Sequence, residues 1–181
     1  MLRFKQFIKE NPDTHYGEAG GYLDDKTLSK PSDKYDEEEH LGGGLYARRF
    51  KADGSKPYMY RQEDEQGKNI HHVRGTRVNG VFVVQSSSKA SWAGPQANFY
   101  RDILDHENRI KSDYVQTAGG QKTWYDLAHN HPDVEVTHHN EFTGAKIKLH
   151  KGDDWGKNFD GPQGRQGRTS FIARLKRKNK P

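Results

Sequence analysis

Between Val81 and Val136 the apolar positions change rhythm several times, and each change marks an element. Val81 to Val84 is a short apolar run rich in β-branched residues, the pattern of a buried strand. The small-residue stretch Gln85 to Pro95 predicts a loop. Phe99, Ile103 and Leu104 then recur at three- and four-residue spacing, which predicts a helix with one apolar face. Asn108 to Asp113 reads as a second strand. Thr117 suits the N-cap of a second helix carrying Trp124, Leu127 and Ala128. Pro132 ends that helix, because it cannot extend it and disfavours helical geometry at His131. Val134 and Val136 open a further strand.

Upstream, Leu45-Tyr46-Ala47, Tyr58-Met59-Tyr60 and Ile70 to Val78 are strand-like, separated by the turn signals Asp53-Gly54 and Gln66-Gly67. Asn79-Gly80 is the strongest short hairpin turn in the chain and makes Ile70–Val78 and Val81–Val84 antiparallel neighbours. Downstream, Val134 to Val136 pairs with Ala145 to Leu149 across Thr143-Gly144. Residues 151–168 read as a long Gly/Asn/Gln-rich loop, and Ser170 to Leu175 as a last strand. At the other end, Leu2, Phe4, Phe7 and Ile8 predict a turn or two of amphipathic helix, stopped by Asn11-Pro12. From Pro12 to Gly44 the chain is polar, acidic and turn-rich, with too little apolar surface to offset its ordering entropy. Residues 1–44 are therefore expected to form an arm that orders on a neighbour or lies loosely on the domain. Gly42-Gly43-Gly44 is expected to be its hinge.

Composition agrees with a small core: of 181 residues 30% are hydrophobic, and the mean hydropathy is −1.18. No apolar run reaches the roughly 18 residues of a membrane span, and MLRFKQFIKE is too polar for a signal peptide. The absence of cysteine excludes disulfides, a thiol nucleophile and thiolate-held metals. Charge is unevenly spread. Residues 1–44 hold 6 Lys+Arg against 10 Asp+Glu, and residues 145–181 hold 11 against 3. That basic end suits a polyanion such as nucleic acid. A solvated tail is the plainer account, since no aromatic-plus-basic RNA motif accompanies it.

Candidate chemistry is sparse. His129-Asn130-His131-Pro132 has the spelling of a zinc motif, but the Ser and Asp ligands such a motif needs do not follow it. A polar helix C-terminus, where histidine favours the dipole, explains it. His138-His139 with Glu141, and His71-His72, lack the i, i+4 helical pairing of metal-ligating histidines, so no metal site is assigned. Ser112-Asp113 has no histidine placed to complete a nucleophilic set. Asp113 is expected to tie down the start of the second helix through backbone N–H groups.

The succession of antiparallel strands, loop, helix, strand, helix and two closing strands resembles the GNAT (Gcn5-related N-acetyltransferase) fold. The phrase RIKSDYVQTAGGQKTWYDLAHNHPDVEV, a strand ending in Ser-Asp, then Thr-x-Gly-Gly and a Trp-bearing helix, is similar to divergent GNAT-like proteins of tailed bacteriophages. The opening MLRFKQFIKE also resembles the leader of many small T-even-like phage proteins. The likeness covers roughly residues 45–175 and is strongest over 81–136. It implies an α/β (α+β) fold with a mixed, mostly antiparallel sheet and flanking helices, extended here by the N-terminal arm and a basic tail at 176–181. It implies acetyl-CoA as cofactor, with backbone groups at Val84 and Gln85 for the pantetheine arm. Ser91, Ala93, Gly94 and Gln96, in the loop and at the helix N-terminus, would take the pyrophosphate. Counting back from Leu127, the family's tyrosine acid falls on Trp124, and the adjacent Tyr125 would take that role. His71, His72 or Glu63 would line the acceptor side as a general base.

Two functions stay open. One is an acyltransferase that modifies an amine on a host or phage macromolecule. The other is a catalytically inactive virion or interaction protein whose basic residues 145–181 meet DNA or another acidic surface. Either would reside in the virion or the host cytoplasm, with no membrane partner. If Asp113 acts only on the helix start, Asp113→Ala costs about 1 kcal/mol of stability. A variant that keeps its melting temperature yet loses a measured activity would refute that assignment.

Overall fold

The computed structural model describes residues 36–50, 54, 56–113, 118–140, 143–153 and 169–176. The expected Leu2–Ile8 helix, the Thr117 cap, most of the 151–168 loop and the tail after Lys176 lie outside the described residues.

Turns that need left-handed backbone set the first half of the sheet. β1 (Asp36–Gly42) and β2 (Leu45–Phe50) are joined by Gly43-Gly44, whose φ angles are 57° and 74°. β3 (Met59–Glu63), β4 (Asn69–Val78) and β5 (Val81–Lys89) continue the antiparallel meander. Asn79 and Gly80, at φ 52° and 77°, make the tight β4–β5 turn that an Asn-Gly pair favours. The sheet thus begins at Asp36. The acidic run read as part of an arm is a paired strand, and of the three glycines read as a hinge Gly42 ends that strand while Gly43 and Gly44 form a hairpin turn.

The second half alternates helices and strands. α1 (Gln96–Ile103) leads to β6 (Ile110–Ser112), and α2 (Ala118–Asn130) leads to β7 (Val134–Asn140). β8 (Lys146–Lys148) and β9 (Thr169–Leu175) close the chain. The nine strands form one sheet in the order β1-β2-β3-β4-β5-β6-β9-β7-β8. β9 lies between β6 and β7 and is antiparallel to both, whereas β5 and β6 run parallel. The architecture is α+β: a mixed, mostly antiparallel sheet with, among the described residues, two helices. None is long and apolar enough to cross a membrane.

Alternation along each strand assigns the faces. Ala47, Tyr60, Val73, Phe82, Val136, Phe171 and Ala173 are buried with Phe99, Tyr100, Ile103, Trp124 and Leu127 of the helices in one cluster. Both helices therefore cover the same side of the sheet. Tyr100 of α1 meets Trp124 of α2 edge-on at 5.1 Å, and Trp124 stacks over Phe171 of β9 at 6.0 Å. A buried polar clamp ties the loop after α1 to this layer. Tyr60 Oη donates to Glu107 Oε1 at 2.5 Å, and Arg77 pairs with the same carboxylate while lying over the Phe82 ring. Burial, then the bond to Glu107, raises the Tyr60 hydroxyl above the ordinary tyrosine range.

β5 is the main departure from the pattern read off the chain. The expected strand ends at Val84, but β5 runs on to Lys89, and Ser86, Ser87 and Ser88 pair with Arg74, Val73 and His72. One residue is accommodated by a bulge: Gly75 faces Val84 and Arg74 faces Ser86, which leaves Gln85 as the extra residue. The bulge explains Gly75. A Cβ there would lie 2.3 Å from Val83 O and 2.8 Å from Phe82 Cζ. Gly75→Ala is therefore expected to lower unfolding stability by about 2–3 kcal/mol in a urea titration, through overpacking against backbone that cannot give way. A change smaller than roughly 0.5 kcal/mol, the range of surface substitutions, would show that the close approach is not real.

Candidate ligand cleft between β5 and β6

The parallel pairing of β5 with β6 is short. Phe82, Val83 and Val84 face Ile110, Lys111 and Ser112, and the N–H of Asp113 donates to Val84 O at 3.2 Å. β6 ends there and β5 does not. Gln85, Ser86 and Ser87 follow in a central strand and are nevertheless exposed. Among the described residues no strand pairs with that flank of β5 beyond Val84, which makes it a candidate cleft, with α1 rising from the loop that follows.

The bulge sets which side chains enter it. Phe82 and Val84 are buried on the helix side of the sheet. Past Gln85 the parity shifts by one, so Ser87 and Lys89, opposite Val73 and His71, take that side. Ser87 stands beside the hydroxyl of Tyr100, a buried residue of α1. Burial pushes the Tyr100 hydroxyl up to about 12, the nearby Ser87 hydroxyl opposes the rise, and the Asp113 carboxylate adds to it. Tyr100, Ser87 and Asp113 are thus three polar groups from three elements, gathered where the strands part.

The far end of the cleft is the start of α1. Pro95 precedes the helix, and no side chain caps it. Lys89 Nζ donates to Ala93 O at 3.2 Å and Gly94 O at 3.4 Å, which fixes the loop against β5. Gln96, 8% exposed, has its Oε1 2.8 Å from His71 Nδ1. The amide oxygen can only accept, so Nδ1 carries the proton and Nε2 is the basic nitrogen. The His71 ring stacks on Phe99 at 5.3 Å, and burial lowers its pKa. Gln96 Nε2 is buried without a hydrogen-bond partner. Trp92, on the loop between Lys89 and Gln96, is 64% exposed.

The residues singled out from the sequence fall in different places. Val84 marks the last rung of the parallel pair, Gln85 is the bulge, and Ser91, Ala93 and Gly94 form the loop that leads to Gln96. Tyr125 is buried on α2, its ring edge-on to Phe171 at 5.9 Å and to His129 at 6.3 Å, while Trp124 is the α2 residue against Tyr100. His71 and His72 point to opposite sides of the sheet, as neighbours on a strand must. His72 lies on the side away from the helices, facing Arg61, and Arg61 also binds Glu63 there. Arg61 holds Glu38 of β1 with Nε at 2.7 Å and Nη2 at 2.6 Å, and Arg48 joins the same carboxylate at 3.2 Å. The arginines keep the Glu38 carboxyl below its usual range. Among the described residues no group of three His, Asp or Glu side chains is placed to hold a metal.

Ser87, Lys89 and Tyr100 escaped the sequence reading because Ser86-Ser87-Ser88-Lys89 looks like a loop. One signal would have found them. A hairpin turning at Asn79-Gly80 with a strand reaching back to Ile70 requires a partner of similar length, and that partner reaches Lys89.

No protein-family model matches the sequence, and no curated protein matches it either.

His72 gives the molecule a calculable pH response. Burial first, then the charges of Arg48, Arg74 and Arg61, push its pKa down to about 4. The unfolded chain takes up this proton near pH ~6.5 and the folded chain does not. The stability is present above about pH 6.5 and lost as pH falls toward 4. His71, also lowered by burial, acts in the same direction. Urea midpoints measured across that window should fall with pH, and the His72→Gln variant should fall less steeply. Equal slopes would show that His72 is solvated in solution.

Proposed function

We propose that the chain is a GNAT-like, acetyl-CoA-dependent acyltransferase-type protein that acts on an amine of a host or phage macromolecule. One observation carries the reading: a parallel strand pair that parts after Val84, with an uncapped helix start at the far end of the opening. The exposed flank of β5 that begins at Gln85, just past the last paired rung at Val84, would supply backbone groups that suit an extended amide-bearing chain. Ser91, Ala93, Gly94 and Gln96 surround the α1 N-terminus, where N–H groups and the helix dipole favour phosphate. The cofactor would bring an activated thioester. The chain would orient it along β5, and backbone N–H groups near Val84 would stabilise the oxygen as its charge develops. Tyr125 is the residue that the family resemblance nominates as acid.

Specific features favour a second reading, a virion or interaction protein without catalysis. The loop before α1 holds a single glycine, Pro95 removes one donor, and Trp92 is bulky and exposed where small residues would suit a phosphate cradle. In that case the partners would be other phage proteins, or DNA met by the basic residues 145–181.

Isothermal titration with acetyl-CoA separates the two. Micromolar binding to the full chain, abolished in Gly94→Trp and retained in Tyr125→Phe, is the expected result. No heat at millimolar ligand, from protein with a cooperative thermal transition, overturns the acyltransferase reading.

A further inference from the structure

The side of the sheet away from the helices carries a cluster of arginines, and an acidic strand is fastened to it. Arg48 of β2, Met59 of β3 and Arg74 of β4 form one row of paired positions, and Tyr46, Arg61 and His72 form the next. All six side chains share that face, because Ala47, Tyr60 and Val73 between them are buried in the core under the helices. His72 lies among all three guanidiniums. Glu38 of β1 binds two of the three: Arg61 through Nε at 2.7 Å and Nη2 at 2.6 Å, and Arg48 at 3.2 Å. Arg74 is exposed and, among the described residues, makes no ion pair.

Little apolar surface secures the strand that supplies Glu38. β1 has the sequence DEEEHLG, in which Leu41 is the one apolar side chain and is only partly buried against the core. Glu37, Glu38, Glu39 and His40 are exposed, and among the described residues β1 has β2 as its single neighbour. It is joined to β2 by Gly43-Gly44, a turn with a backbone that any side chain would restrict. The strand is therefore attached by its ladder and its carboxylates, with no packed face. Attachments of that kind open locally at less cost than unfolding the domain.

We propose that β1 is a displaceable strap whose carboxylates stand where phosphates can bind, and that single-stranded nucleic acid competes with it for Arg48, Arg61 and Arg74. A guanidinium takes carboxylate or phosphate with the same planar fork. Arg74, exposed and unpaired, makes the first contact. Arg48 is 5% exposed, so a phosphate reaches it once Glu38 has moved off. Phe50, at the β2 end two residues beyond Arg48, is 46% exposed and stacked on Tyr58 at 4.7 Å. Its ring offers a face to an unstacked base, which an acidic peptide does not bring and a duplex does not free. This site lies on the opposite side of the sheet from α1 and needs no cofactor.

Hydrogen exchange on the full chain, with and without a thymidine oligonucleotide of roughly 16 residues, tests the displacement. Bound oligonucleotide should speed exchange of the amides of residues 37–41 severalfold and leave those of residues 82–84 protected. Binding that leaves β1 exchange unchanged would belong to the basic residues 145–181 and overturns the proposal. Fluorescence anisotropy supplies the second readout. Glu38→Gln, which weakens the internal competitor, should bind the oligonucleotide about tenfold more tightly. Arg74→Ala should keep the melting temperature, bind less tightly and lower the slope of log affinity against log salt by about 0.7. If Glu38→Gln does not fold, the exchange result and Arg74→Ala still decide. An unchanged slope in Arg74→Ala, or no binding at about 0.05 M salt, overturns the proposal. Polyglutamate that opens β1 as effectively as the oligonucleotide overturns nucleic acid as the partner.

Discussion

Three rungs of parallel pairing join the two halves of this sheet. On one side, β1 to β5 form an antiparallel meander set by tight turns; on the other, β6, β9, β7 and β8 form a second antiparallel group. Phe82, Val83 and Val84 against Ile110, Lys111 and Ser112 are the link between them, closed by the Asp113 N–H on Val84 O. So short a ladder cannot hold two half-sheets together unaided. The helix layer supports it. Phe99, Tyr100 and Ile103 of α1 and Trp124 and Leu127 of α2 bury against residues from both halves in one continuous core. The aromatic series Tyr100, Trp124, Phe171 runs from α1 through α2 to β9 and bridges the junction.

Economy at the junction creates the cleft. Because β6 stops at Ser112 while β5 continues, a central strand is left, among the described residues, without a paired neighbour on that flank. The bulge at Gln85 determines what that flank presents: without the extra residue, Ser87 would face the arginine-rich side of the sheet and Tyr100 would lose its partner. The bulge in turn requires glycine at 75, since Val83 O and the Phe82 ring occupy the space of any Cβ. A packing constraint within β4 thus controls the chemistry of the neighbouring strand.

The two sides of the sheet solve the burial of charge differently. On the helix side a small charged clamp is enclosed: Tyr60 and Arg77 share one carboxylate oxygen of Glu107, and the core around them is apolar. On the other side, Glu38, Arg48, Arg61 and Glu63 form a spread network across β1, β2 and β3. That network anchors an acidic outer strand that has little apolar surface of its own. Burial, with the nearby charges of Arg48, Arg74 and Arg61, also keeps the His72 ring neutral, so acidification weakens the fold there.

The chain by itself determined what depends on near neighbours. The Asn79-Gly80 turn, the apolar faces of both helices, the end of α2 before Pro132 and the presence of the closing strands were legible, because each follows from the backbone preferences or spacing of a few adjacent residues; their pairing was not, since Thr137 to His139 face β8 while Val134 to Val136, expected there, pair with β9. Residues that fall wholly in exposed or paired contexts were not. Asp36 to Gly42 has no apolar period; it is paired to β2 through the Gly43-Gly44 turn, with Arg48, Arg49 and Arg61 on β2 and β3 receiving its carboxylates. Gln85 to Lys89 reads as a loop until β4 is laid beside it and demands a partner. The meeting of Ser87 with Tyr100, and of His71 with Gln96, likewise depended on register. A one-residue bulge decides which side of a strand a side chain occupies, and only the paired strand reveals it.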